Sequence, residues 1–158
     1  MKAVTLKEIK TELGHKSHIE ILDLCLRLSK FKKENKELLT YLLFESANEE
    51  NYIAEIKTEM DKQFELINTK TYYYIKKSVR KILRRIKTYI RYSKKTETEI
   101  ELLLYFCTKL KYFSPSIKNS KALNNMFLRA LESVKKKLLL LHEDLQYDYG
   151  LEFKKLEQ

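Results

Sequence analysis

Three histidines, two cysteines and a scatter of carboxylates are the residues of this chain whose types could carry chemistry. Glu12-Leu13-Gly14-His15 has the Glu-x-x-His spacing of carboxylate-bridged metal bundles. Those sites need a second copy and two further glutamates on facing helices, and here there is one copy, with Gly14 reading as a helix end inside it. His15 and His18 straddle a helix start, yet no cysteine or second histidine pair supplies the remaining ligands of a tetrahedral metal site. They read as loop and first-turn residues. His142-Glu143-Asp144 does not converge as a triad, because adjacent helical positions point about 100° apart. Cys107 lies on an apolar segment with only Lys111 as an activating cation, which argues against a thiolate nucleophile. Cys25 also sits among apolar residues, and two cysteines in a chain of 158 residues do not make a disulfide framework. Both are expected to be reduced core residues. Glu97, Glu99 and Glu101 fall near a helix start, where negative charge suits the dipole. Two isolated glycines cannot build a phosphate-cradling loop. The residues therefore call for no metal and no cofactor, and the expectation is that the chain is not an enzyme.

Charge is more informative than nucleophiles. The formal net charge is +10, from 32 Lys/Arg and 22 Asp/Glu. Eleven of those cations and no acid lie between Lys70 and Lys95, leaving the rest of the chain with 21 basic and 22 acidic groups. On a helix turning about 100° per residue, Lys77, Arg80, Lys81, Arg84 and Arg91 cover the arc opposite the apolar stripe, with Lys76 and Lys87 on its flanks. Tyr73, Tyr74 and Tyr92 are placed between these cations. Cations for phosphates and ring faces for bases are the ingredients of a single-stranded nucleic-acid binder, and contacts to several phosphates would make binding fall steeply with salt. Tyr73, Lys76, Lys77, Arg80, Lys81, Arg84, Lys87 and Arg91 are thus the candidate anion-binding or nucleic-acid-binding face. An anionic lipid layer or an acidic protein would suit the same surface.

The rival is internal pairing. Residues 45–65 hold seven acids against two lysines, and in an antiparallel hairpin Asp61 would lie level with Lys76, and Glu65 near Tyr72 and Tyr73. Each exposed ion pair of that kind contributes about 0–1 kcal/mol.

The elements that position these residues announce themselves locally. Two glycines and one proline leave little for sheet turns, which argues for long helices joined by short polar loops. Thr5 with Glu8, Ser17 with Glu20 and Thr96 with Glu99 fit capping boxes. Gly14 reads as the stop of a first helix over residues 5–13. Apolar residues three and four apart then predict helices over about 18–31, 34–46, 49–67, 70–94, 97–113 and 120–148, with Gly150 ending the last. The stripe of the second contains Ile19, Leu22 and Leu26. The sixth is apolar nearly all round and is expected to be the most buried. Seven helices with short loops should form antiparallel αα-hairpins. The expectation is one all-α domain over residues 1–158, an armadillo/HEAT-like α-α superhelix rather than a compact helical bundle, with residues 1–4 and 150–158 as flexible ends.

With 44% hydrophobic and 34% charged residues the chain is too apolar for disorder and too charged for a membrane class. The start lacks an apolar signal region, and the apolar runs Ile100–Phe106 and Leu138–Leu141 are far shorter than the ~20 residues of a bilayer crossing. No transmembrane segment and a cytoplasmic location are expected.

The stretch Leu28-Ser29-Lys30-Phe31-Lys32-Lys33-Glu34-Asn35-Lys36-Glu37-Leu38-Leu39, with Tyr41-Leu42-Leu43-Phe44-Glu45 after it, resembles small uncharacterised bacterial helical proteins of the α-α superhelix kind. Leu141-His142-Glu143-Asp144-Leu145-Gln146-Tyr147-Asp148-Tyr149 resembles part of the same pattern. The resemblance implies a fold and a bacterial cytoplasmic setting, and brings no functional residues. A non-enzymatic interaction or scaffold protein with a protein partner is the leading expectation, and a nucleic-acid-binding module acting through residues 70–95 is the alternative.

Overall fold

The computed structural model describes residues 2–157, and these are all-helical, with eight α-helices and no strand among them. The chain divides into two compact units between Phe44 and Glu45.

The first unit holds α1 (Leu6–Gly14), α2 (His18–Phe31) and α3 (Lys33–Thr40), and a π-helical turn over Tyr41–Glu45 runs across the division. Two of the predicted capping boxes form. The Thr5 and Ser17 hydroxyls accept from the amides of Glu8 and Glu20, whose carboxylates accept back from the cap amides at 2.8 and 2.9 Å. Gly14 is the last helical residue of α1 and needs no positive φ, so its role is that of a weak helix former rather than a left-handed stop. α2 and α3 pack as a hairpin, and the Asn35 side-chain amide donates to the Leu28 carbonyl at 2.8 Å to brace their junction. No residue of α1, α2 or α3 is buried. The stripe expected to be core on α2 therefore lies open, with Ile19 71% and Leu22 50% exposed. Cys25 is likewise an exposed free thiol, not the core residue its apolar neighbours suggested.

The second unit contains α4 (Glu49–Glu65), α5 (Tyr72–Ser93), α6 (Thr96–Lys111), α7 (Lys121–Leu138) and α8 (Glu143–Glu157), with a short 3-10 turn at Ile117–Asn119. Its centre is α6, against which α4, α5, α7 and α8 all pack. Leu102, Leu103, Leu104, Phe106, Cys107 and Leu110 are each exposed by 2% or less, as a helix apolar on every side requires. The stripe of α5 meets it through Ile75, Val79, Ile82 and Ile86, all at 3% exposure or below. Each such side chain contributes about 1.5–3 kcal/mol relative to leaving it in water.

Three boundaries differ from the sequence reading. The third capping box does not form: α6 starts with Lys95 at its N-cap and no side-chain cap. The nearby hydroxyls of Ser93 and Thr98 donate instead to the Glu49 carboxylate of α4. The segment 120–148 is two helices. The amides of Leu140 and Leu141 bond three residues back, which tightens the end of α7, turns Leu141 inward and leaves Leu139 and Leu140 exposed. Gly150 then lies inside α8 and ends nothing. The last turns are docked as well, since Phe153 and Leu156 are buried and the Lys111 ammonium donates to the Lys155 carbonyl at 2.7 Å. The chain leaves α5 through Lys94, a left-handed cap with φ 58° in a position that favours glycine.

Candidate nucleic-acid interface

α5 is built as two opposed faces. Its isoleucine and valine stripe faces the core, so the residues half a turn away must face out, and its 22 residues make a rod about 33 Å long. Lys77, Arg80, Lys81, Arg84, Lys87 and Arg91 are all exposed, and Lys76 is half-buried. None of these seven makes an ion pair with a described residue. The Arg91 guanidinium donates to the Thr88 hydroxyl at 3.3 Å, and the Lys76 ammonium stands 5.9 Å from the Tyr73 ring centre. Those are weak local contacts that leave the charges available.

Arg85 is the exception on this helix. It reaches Glu59 of α4 at 3.9 Å and stacks on the Tyr89 ring at 4.3 Å. Two other acids of residues 45–65, Glu49 and Asp61, find partners elsewhere. Glu49 pairs with Lys95 at 2.9 Å and accepts from Ser93 and Thr98. Asp61, expected level with Lys76, turns to α6, where it meets Lys109 at 2.7 Å and accepts from the Tyr105 hydroxyl. Although burial works against ionisation there, Lys109 and Tyr105 together hold the Asp61 carboxyl below its ordinary range. Asp61 in turn raises the Lys109 ammonium above its usual value. The Tyr72 hydroxyl donates to the Ser116 carbonyl at 2.8 Å, fastening the start of α5 to the loop after α6. The acidic helix is thus matched mainly to α6 and to the edge of α5, and the outward arc of α5 stays open.

The rings are distributed differently from the wheel. Tyr73 and Tyr74 are exposed and meet edge to face at 5.5 Å at the N-terminal end of the basic arc. Tyr92 is buried, not interleaved with the cations. It joins a cluster between α4 and α5, its ring 6.2 Å from Tyr89, which is itself 6.3 Å from Tyr52. Burial and the neighbouring Glu59 carboxylate push the Tyr89 hydroxyl far above its ordinary pKa. The middle of the basic face therefore carries cations without rings.

Three grooves follow one another along this face. One beside Tyr73 reaches Arg80 and Arg84, and the next runs from Arg80 and Arg84 to Lys87 and Arg91. The third, about 460 Å³, lies between α5 and α7 and adds Arg129 and Ser133 to Lys87 and Arg91. Sequence reasoning missed Arg129. It stands alone between apolar neighbours on another helix, and only packing brings it beside Arg91.

The remaining chemistry-bearing residues stay apart. His15 and His18 are exposed, and His142 lies 3.5 Å from Asp144 on an open surface. No group of three His, Cys, Asp or Glu is placed to hold a metal ion among the described residues. Burial pushes the Cys107 thiol up to about 12, so it is protonated at neutral pH. No helix among the described residues is long and apolar enough to cross a membrane. Comparison with family models, curated proteins and solved structures finds no match to this chain.

Proposed function

We propose that this chain is a non-enzymatic helical binding protein whose α5 face contacts the phosphate backbone of a nucleic acid. The observation that carries it is the row of seven cations, six of them exposed, that no carboxylate of the described chain neutralises. Lys77, Arg80, Arg84, Lys87 and Arg91 recur three and four residues apart, which sets their Cα atoms about 5–6 Å apart in one line. A flexible polyanion can follow such a line. An anionic membrane surface is a poorer occupant, because a helix that enters the lipid interface does so with its apolar face. On α5 that face is already buried, with Ile75 and Val79 at 0% exposure.

A second reading, a scaffold with a protein partner, has its own observation in the open leucine and isoleucine stripes of α1 to α3. Both readings fit a cytoplasmic bacterial setting, the one implied by the resemblance to small helical proteins. For the second unit we favour an α-α superhelix. Each of its helices packs on its successor, and α4, α5 and α6 also pack on the helix after next.

The test of the nucleic-acid reading is a titration of labelled DNA and RNA at two salt concentrations, with an Arg80→Glu/Arg84→Glu variant alongside. Contacting about five phosphates, the wild type should lose roughly 10²–10³ in affinity between 50 and 200 mM salt. The variant should bind far more weakly at the lower salt. No salt-dependent binding at micromolar protein would end the reading.

A further inference from the structure

Resting on the nucleic-acid reading, we propose that the α5–α7 cleft receives an unpaired nucleobase together with its phosphate. The protein would then prefer single-stranded nucleic acid to blunt duplex.

The cleft differs in kind from the rest of the basic face. Along the middle of α5 the cations have no rings beside them, so a strand lying there is held by its phosphates alone. Between α5 and α7 the floor becomes apolar, with Leu103 at 2% exposure and Met126 half-buried, while Lys87, Arg91 and Arg129 stand exposed around it. The volume of about 460 Å³ lies in the ordinary range of small-ligand pockets, roughly 300–1,000 Å³. The acid that lines it, Glu99, is already paired with Lys137 at 3.1 Å, so the local excess is positive. An apolar floor under cations matches a flat base on a charged phosphate. Bases released from a duplex are commonly held by apolar side chains and Arg guanidinium planes.

Continuity supports the same occupant. The groove over Arg80 and Arg84 shares Leu83, Lys87 and Arg91 with the cleft, so a strand tracking α5 reaches it without leaving the cationic surface. At the opposite end of the arc the exposed Tyr73 and Tyr74 offer the other apolar landing place, about 15–27 Å by helical rise from the α5 residues that line the cleft. A paired base cannot enter either place without leaving its stack. A single strand can use both.

The experiment compares a labelled 12-nucleotide single strand with a blunt duplex of the same sequence, for the wild type, Met126→Ala and Arg129→Glu, with circular-dichroism melts confirming that each variant folds. Met126→Ala removes floor without touching charge. The wild type should bind the single strand about tenfold more tightly than the duplex, and Met126→Ala should bring the ratio close to one. Arg129→Glu should weaken single-strand binding more than duplex binding. If the two nucleic acids bind equally and Met126→Ala leaves the ratio unchanged, the cleft proposal is wrong while the phosphate reading stands. If neither binds in a salt-dependent way, or phosphatidylserine vesicles bind and both nucleic acids do not, the underlying reading fails and the cleft proposal with it.

Discussion

α4 and α5 pack side by side with opposite charge, and they use that charge in different ways. On α4, Glu49, Glu59 and Asp61 reach lysines, an arginine and hydroxyls of α5, α6 and the segment joining them. Of the α5 cations, Arg85 is drawn into this arrangement, and seven cations on the outward arc have no carboxylate partner among the described residues. Complementary charge on neighbouring helices therefore does not imply mutual neutralisation. Rotation decides it: the apolar stripe of α5 fixes which residues look at α4, and the cations are placed half a turn away.

The comparison breaks most readily at the stripe itself. Ile82 is 3% exposed and Arg84, two positions on, is exposed. Ile82→Ala should cost about 2–5 kcal/mol in urea unfolding, while Arg84→Ala should stay within about 0.5 kcal/mol of wild type. Equal costs would mean that the outward face is structural.

A smaller effect sharpens the acidic side. The Asp61 carboxyl titrates below its unfolded value of about 3.9. A depressed carboxylate adds stability that is present above that unfolded value and disappears as pH falls through the folded one. Asp61→Asn should therefore flatten the acid limb of a stability–pH profile below about pH 4. At neutral pH it should cost no more than about 1 kcal/mol, because the pair with Lys109 is more than a third exposed and solvent screens it. An acid limb unchanged by the substitution would show that Asp61 and Lys109 are not coupled in solution.

Much of this was legible in the sequence, and the misses share a cause. The boxes at Thr5 and Ser17 are local, with both partners within three residues, and both form. Thr96 with Glu99 carries the same signature, yet Lys95 takes the N-cap position and the Glu99 carboxylate pairs with Lys137 of another helix. The outward cations of α5 could be read from the helical period because packing on α6 imposes that period. Tyr92 could not, since its place on the wheel carries no sign that Tyr89 and Tyr52 cover that edge. The stripe on α2 and the thiol of Cys25 read as core because period reports amphipathicity alone. It does not reveal whether a neighbouring element covers the apolar side. Leu138–Leu141 continues an apolar pattern through a helix break, so nothing in residue type marked the division of α7 from α8.

The most direct test of the central claim, that the outward cations of α5 are free of internal partners, is the urea unfolding midpoint of the Arg80→Glu/Arg84→Glu variant beside the wild type. Removing two like charges from a crowded arc should leave the midpoint unchanged or raise it. A loss of stability of about 2 kcal/mol or more, beyond what exposed pairs contribute, would show that these arginines hold the fold together and contradict the account.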